Sequence, residues 1–277
     1  MAVLDLDRLS VRSEGGSSVI DVNLTVEPSE LVALIGPPGS GKTTLTRAVT
    51  GSLLPDRGTI TLLGVDVTRH GLNERIGAGI AHTVDSTGMD STMTVREHLM
   101  GASDRPGESG KVARFLRPRD GPKRSVAEII EVLGLHEDAD RQLGTLRLLA
   151  RRRFEVALAI TGEPALVVVD GLLQGLNPED ALAVARLCRA AHVLRGAAFL
   201  VTDRRPDALI EVSRYVYVLS GGRILVAGTP AEVGSRPDVG ALFAASAGPF
   251  VPPDGVGPRD VNGRLVQPQL RIDLPRP

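Results

Sequence analysis

The chain has 277 residues, of which 42% are hydrophobic and 23% charged, a composition typical of a globular protein with its own core. A formal net charge of −1 argues against binding to nucleic acid or to an anionic membrane surface through the overall field. The single cysteine, Cys188, excludes an internal disulfide and a multi-cysteine metal site, and we expect it to be buried in a helix.

The first part of the chain predicts strands around one helix. Alternating apolar and polar residues predict half-covered strands in "VLDLDRLSV" and "VIDVNLTVE". The nearly continuous apolar run in "ELVALIG" predicts a buried central strand, and "GKTTLTRAVTG" predicts a helix that Gly51 ends. Two further strands are predicted at "GTITLLG" and within "RIGAGIAHTV".

From about residue 95 to residue 160 the pattern is helical, apart from the polar insertion "SDRPGESGKVARFLRPRDGPKR". A buried strand, "ALVVVD", then precedes a helix over Pro178–Arg195 and a strand at "AAFLVT". "YVYVLSGGRILVAG" predicts a hairpin with its turn at residues 220–222, and two short helices follow as far as about residue 245. Strands that alternate with helices predict an α/β fold with a parallel sheet core and a helical arm between about 86 and 160.

The C-terminal residues 246–277 contain seven prolines and four glycines, which predicts an extended or disordered tail after a unit spanning residues 1–245. Residues 111–124 carry six positive charges against Asp120, which predicts a solvated arm or a patch that binds a partner. No apolar run approaches the roughly 20 residues that span a bilayer, and the N-terminus lacks a signal-peptide pattern. We therefore expect a cytoplasmic protein that reaches a membrane only through a partner.

The stretch "GPPGSGKTT" matches the phosphate-loop pattern G-x-x-x-x-G-K-[ST], between a buried strand and a helix. Its lysine is one of only three in a chain with 29 arginines, and a compact ammonium fits such a loop where a guanidinium does not. Lys42 is predicted to pair with the β- and γ-phosphates, and the Thr43 hydroxyl and Asp170 to hold Mg²⁺. The predicted nucleotide-binding residues are Gly36, Pro37, Pro38, Gly39, Ser40, Gly41, Lys42, Thr43 and Thr44.

Together with this loop, several later stretches resemble one family of P-loop NTPases. From about residue 3 to residue 245 the chain resembles the ATP-binding subunits of ABC transporters, and more narrowly those of branched-chain amino-acid importers. The resemblance is carried by "GIAHTV", "TMTVREHLM", "VLGLHEDADRQLGTL", "QGLNPED", "GGRILVAGTPAEV" and "RPDVGALFA". A P-loop kinase fits less well, because the order of elements after the loop is that of the ABC proteins.

The resemblance implies a fold, cofactors and partners. The family has a parallel-sheet ATPase core, an antiparallel β subdomain and a helical arm that docks on a membrane permease. Its subunits bind ATP with Mg²⁺ and pair head to tail, as homodimers or heterodimers. Each ATP then lies between the phosphate loop of one chain and the signature motif of the other.

The same resemblance marks five degenerate positions. The family's general-base glutamate falls on Gly171, its Mg²⁺-sensing glutamine on Asp85 and its γ-phosphate histidine on Asp203. In the signature motif, Arg147 replaces the serine and Leu149 a glycine. The adenine-stacking aromatic falls near Ser13, where none is present.

These departures predict a chain that binds Mg-ATP and hydrolyses it weakly or not at all, because general-base catalysis is typically worth about 10²–10⁴ in rate. One alternative is a working transport ATPase in which Asp85 or Asp203 acts as the base, or Arg147 as an arginine finger. Another is a soluble, nucleotide-gated regulator or scaffold without a permease. A further hypothesis gathers Asp85, Asp170 and Asp203 into a carboxylate cluster that binds Mg²⁺ or Ca²⁺.

Overall fold

The computed structural model describes residues 1–13, 18–104 and 125–247, whose strands form two sheets. The antiparallel sheet contains β1 Leu4–Val11, β2 Val19–Val26, β4 Arg57–Leu62 and β5 Val65–Asp66. The larger sheet contains β3 Leu31–Ile35, β6 Ile80–His82, β7 Leu166–Asp170, β8 Ala198–Asp203, β9 Tyr215–Ser220 and β10 Arg223–Gly228. Its order is β10-β9-β3-β8-β7-β6, parallel throughout except for β10. The predicted parallel core with an antiparallel β subdomain is confirmed.

The helices cover the larger sheet and form the arm. They are α1 Lys42–Thr50, α2 Leu72–Gly77, α3 Val95–Asp104, α4 Val126–Val132, α5 Leu148–Thr161, α6 Pro178–Arg195, α7 Pro206–Val212, α8 Pro230–Gly234 and α9 Pro237–Ala247. Short 3₁₀ turns lie at Ser86–Gly88 and Leu143–Thr145. None of the helices in the described ranges combines the length and the apolar character that crossing a bilayer requires.

The alternation along β3 explains how the sheet is covered on both faces. Leu31, Ala33 and Ile35 pack into a core shared with α5 and α6. Val32 and Leu34 point the other way, into a core shared with α1 and the antiparallel sheet. A strand buried on both faces is continuously apolar, and all five residues of β3 are buried.

Most predicted boundaries agree with the structure. Helix α1 ends at Gly51, whose φ of 83° only glycine adopts readily, and α6 runs over Pro178–Arg195 as predicted. Cys188 is buried in α6, and burial raises the pKa of its thiol to about 12.

The structure differs from the predictions at short elements and at one end. Helix α2 and strand β5, of six and two residues, were not predicted. Helix α9 continues to Ala247, two residues past the predicted end of the folded unit at 245. The rest of the tail, the basic residues 111–124 and most of the loop after Ser13 lie outside the described residues.

Candidate nucleotide site

The candidate site lies at one edge of the larger sheet, where three neighbouring parallel strands end. The phosphate loop follows β3, Asp170 is the last residue of β7, and Asp203 is the last residue of β8. In the register of the sheet, Ile35 pairs with Asp203, and Asp170 pairs with Thr202. The carboxyl edge of such a sheet is where α/β proteins bind ligands.

Lys42 points back into the loop that precedes it. Its Nζ donates to the carbonyl oxygens of Gly36, at 2.7 Å, and Pro37, at 3.0 Å, and to Ser40 Oγ, at 3.2 Å. The side chain is only 8% exposed. Burial lowers the pKa of this ammonium to about 8, while the charges of Asp203 and Asp170 act to raise it. The loop thus holds one buried cation next to a sharp turn of the backbone, in which Gly41 has a φ of 106°.

Asp170 is held by two threonine hydroxyls. Thr46 Oγ1 donates to Asp170 Oδ2 at 3.0 Å, and Thr202 Oγ1 donates to Asp170 Oδ1 at 2.5 Å. Thr43 lies one turn before Thr46 on α1 and is exposed, with its carbonyl oxygen accepting from Thr46 Oγ1 at 3.0 Å. The two predicted metal ligands, Thr43 and Asp170, are therefore linked through Thr46.

Gly171 adopts a left-handed backbone conformation, with a φ of 65°. The side chain of Gln174 folds back over it, so that a Cβ at position 171 would overlap the carboxamide nitrogen of Gln174. Arg204 Nη2 donates to Gln174 Oε1 at 3.3 Å. A carboxamide paired with a guanidinium thus covers the backbone immediately after Asp170.

Asp203 is 2% exposed, and its carboxylate faces backbone amides. Its oxygens accept from the N–H groups of Leu173 at 3.0 Å, Arg204 at 2.7 Å and Arg205 at 3.2 Å. Burial raises the pKa of this carboxyl, and the three hydrogen bonds act to lower it. Its structural role is to tie the loop after β8 to the loop after β7.

Asp85 is exposed and caps the turn Ser86–Gly88, with Oδ1 accepting from the Thr87 amide at 3.0 Å. Hydrogen bonds from Thr87 lower the pKa of this carboxyl. No group of three or more His, Cys, Asp or Glu in the described ranges is arranged to hold a metal ion. The hypothesis of a cluster formed by Asp85, Asp170 and Asp203 is therefore wrong, because the first caps a surface turn and the last is bound to amides.

Arg147 and Leu149 lie at the start of α5. Arg147 is exposed at the N-cap position, where its side chain makes no capping hydrogen bond to the helix. Leu149 packs against the core shared with α6. A helix N-terminus carries a partial positive charge, and Arg147 adds a full one at this surface.

Several residues of the site were not singled out in the sequence. Thr46 and Thr202 fix Asp170, and Gln174 and Arg204 cover Gly171. Thr46 could have been found from its position three residues after Thr43, on the same face of a helix. Gln174 and Arg204 could not, because they lie 30 residues apart and meet only through the fold.

The residues present fit a nucleoside triphosphate. Lys42 is buried beside a helix N-terminus, and among the residues that the structure describes its ammonium bonds only to neutral oxygens, so it has no bonded anion there. Phosphate oxygens can take the place of the two loop carbonyls. Asp170 is a fixed carboxylate at the end of β7, which lies two strands from β3 in the sheet. A carboxylate in this place suits a hard divalent cation.

Comparison with known proteins identifies the family. Residues 19–173 match the family model described as ABC transporter. The high-affinity branched-chain amino acid transport ATP-binding protein LivG of Escherichia coli (strain K12) is 29% identical over 251 residues, covering 88% of this chain and 98% of LivG. The lipopolysaccharide export system ATP-binding protein LptB of Haemophilus influenzae is 28% identical, covering 84% of this chain and 93% of LptB.

Solved structures agree with these sequence matches. The ATP-binding cassette MJ1267 of an ABC transporter superposes with a TM-score of 0.74 at 27% identity, covering 88% of this chain and 99% of the other. The ADP conformation of MJ1267 superposes with a TM-score of 0.73 at 26% identity, covering 89% of this chain and 100% of the other. The resemblance read from the sequence is confirmed. The chain belongs to the ABC transporter family, among its ATP-binding subunits.

Proposed function

We propose that this chain binds Mg-ATP in an importer-like ABC system and hydrolyses it slowly or not at all. One observation carries the proposal. The phosphate loop with Lys42 is complete, while the position after Asp170 is a left-handed glycine covered by a neutral carboxamide. The site offers cations and amides to a triphosphate and no carboxylate at Gly171 to accept a proton from water.

In the proposed complex, residues 36–44 surround the phosphates, with Lys42 beside the β- and γ-phosphates. Thr43 and Asp170 would hold Mg²⁺, which neutralises phosphate charge when bound. Asp203 is less suited to replace the missing base, because its carboxylate already accepts three amide hydrogen bonds. Asp85 serves a surface turn.

The proposed partners are a second ATP-binding subunit and a membrane permease. A groove of about 540 Å³ beside the arm supports a permease as partner. Its lining is mainly apolar and includes Ile80, Val84, Met89, Met93 and Leu158. Val84 in this lining is 46% exposed, and a contiguous apolar lining that is open to solvent is typical of a surface that docks a partner. We propose that the permease occupies this groove and holds the chain at the cytoplasmic face of the membrane. The similarity to LivG supports amino acids as the cargo.

The test measures Mg-ATP binding by titration calorimetry and phosphate release on the same samples. We expect the wild type to bind ATP, and Lys42→Ala to weaken binding at least tenfold, because a hydrogen bond to a charged group is worth about 1.5–3 kcal/mol. Phosphate release should lie at least about 100-fold below ordinary enzymatic turnover of 1 s⁻¹ or more. Turnover at ordinary rates that Lys42→Ala abolishes would contradict the proposal and support a working ATPase.

Light scattering with and without Mg-ATP separates the proposed subunit from a soluble regulator. Because each ATP is proposed to lie between two chains, the wild type should form dimers with ATP, and Lys42→Ala should remain monomeric. A wild type that binds ATP as a monomer at every concentration would contradict pairing with a second copy and would favour the regulator or a subunit that pairs with a different chain. The permease is then tested by purification of the membrane complex from the host.

A further inference from the structure

We propose that Arg204, held by Gln174, is a ligand for the terminal phosphate of ATP, so that the site distinguishes ATP from ADP. This inference rests on the proposed function and deepens it, because it assigns a residue to the phosphate by which the two nucleotides differ. It concerns two side chains outside the phosphate loop.

Gln174 covers the backbone that follows Asp170. Its carboxamide occupies the space that a side chain at Gly171 would enter, directly after Asp170. The backbone of Gln174 is also tied down, since its N–H donates to the carbonyl oxygen of Gly171 at 3.2 Å. Oε1 accepts from Arg204 Nη2 at 3.3 Å. The amide therefore holds the guanidinium against the end of β7.

Arg204 leaves the larger sheet at the same edge as the phosphate loop. It follows the last residue of β8, which pairs with the last residue of β3, so Arg204 and Gly36 leave the sheet at the same edge. Its N–H donates to Asp203 Oδ1 at 2.7 Å, which fixes the start of its side chain. Arg204 therefore begins at the edge of the sheet from which the phosphate loop also begins.

The guanidinium of Arg204 has donors available for a ligand. Arg204 is exposed, and its bond to Gln174 uses one of the five N–H donors of a guanidinium. The remaining donors can bind two phosphate oxygens side by side, the geometry that arginine provides and lysine does not. The nearby carboxylate of Asp203 is turned to backbone amides and does not neutralise the guanidinium through a direct ion pair.

The experiment measures dissociation constants of Mg-ATP and Mg-ADP for the wild type, Arg204→Ala, Arg204→Lys and Gln174→Ala. We expect Arg204→Ala to weaken ATP binding about tenfold and to leave ADP binding within twofold, because only ATP has the terminal phosphate. Arg204→Lys should recover part of the loss. Gln174→Ala should shift the ratio of the two constants in the same direction by a smaller factor.

Arg189→Ala is the matched control. Arg189 is exposed on α6, twelve residues beyond the N-cap Asn177 and thus about 18 Å along the helix. Its removal should change neither constant, and thermal unfolding of each variant without nucleotide checks that it is folded. A loss of ATP and ADP affinity by the same factor in Arg204→Ala, or no loss, overturns the inference while the proposed function stands. A wild type that binds neither nucleotide overturns both.

Discussion

Lys42 shows how a single residue can be prepared for an anion. In the structure its ammonium is bonded to the loop's own oxygens, two of which are carbonyls that a phosphate would replace. Burial without a bonded anion lowers its pKa to about 8. A bound triphosphate supplies the missing negative charge and must raise that pKa again.

We therefore predict that Mg-ATP affinity falls as pH rises through 8, and that the complex takes up a proton on binding above this pH. With a pKa of about 8, roughly nine-tenths of the free protein is protonated at pH 7 and roughly one-tenth at pH 9, so affinity should fall about tenfold. Calorimetry in buffers with different ionisation enthalpies measures the proton uptake directly. An affinity that stays constant from pH 7 to pH 9 would contradict this account of Lys42.

The sequence could predict the residues of the site that follow a fixed spacing. The phosphate loop and Asp170 each follow or end a strand that is recognisable in the sequence by its continuous apolar run. Because parallel strands end at the same edge of a sheet, the two are expected to lie close together. Gln174 was not predictable, because the direction of its side chain depends on the φ of Gly171 and on Arg204. The inward turn of Asp203 depends in the same way on the Leu173 amide.

At the scale of elements, a helix can be predicted from the sequence when it is long and has recognisable residues at its two ends. Helix α6 begins after Asn177, whose side chain accepts from the Asp180 amide, and ends at Gly196 in the left-handed conformation. Helix α2 has only six residues and a glycine at its N-cap, so the sequence contains no helical periodicity or capping side chain that would predict it. Yet α2 contributes Arg75, which is fully buried.

Arg75 joins α2 to the end of the helix that begins at the phosphate loop. Its Nη1 donates to the carbonyl oxygens of Ala48 and Val49, and its other nitrogens donate to those of Thr68 and His70. A cation at a helix C-terminus is also favoured by the helix dipole. Burial lowers the pKa of this guanidinium to about 10, which leaves it charged at neutral pH.

We predict that Arg75→Met lowers the free energy of unfolding by about 3 kcal/mol or more, because buried carbonyl groups lose their donors at about 1–3 kcal/mol each. Urea denaturation measures the change. Arg47→Ala is the control, since Arg47 is exposed on α1, and surface substitutions usually stay within about 0.5 kcal/mol. A loss below about 1 kcal/mol in Arg75→Met would show that water can replace the guanidinium.

At the scale of the whole molecule, a chain of contacts connects the groove beside the arm to the nucleotide site. Ser86 donates through its N–H, at 3.1 Å, and its Oγ, at 2.8 Å, to Glu155 Oε1, and Glu155 also lines the groove. Arg152 Nη1 donates to Glu155 Oε2 at 2.8 Å. Arg152 Nη2 reaches the Gln174 carbonyl oxygen at 3.5 Å. Glu155 is 2% exposed and anchors the loop after β6 to α5.

We predict that Glu155→Gln loosens this loop, because the neutral amide forms no ion pair with Arg152 and accepts less strongly from Ser86. Hydrogen exchange of the amides of residues 83–88 should be faster, and the free energy of unfolding should fall by about 1–3 kcal/mol. Glu27→Gln, at an exposed position, should change neither quantity. Unaltered exchange in Glu155→Gln would mean that backbone contacts alone fix the loop.

The left-handed backbone at Gly171 also limits what a substitution at this position can achieve. A glutamate introduced there would have to adopt a φ that costs roughly 1–2 kcal/mol in an L-residue, and would have to displace Gln174. Gly171→Glu would thus lower folding stability even though its carboxylate is a proton acceptor. A change at this single position is therefore a costly way to place a carboxylate beside Asp170.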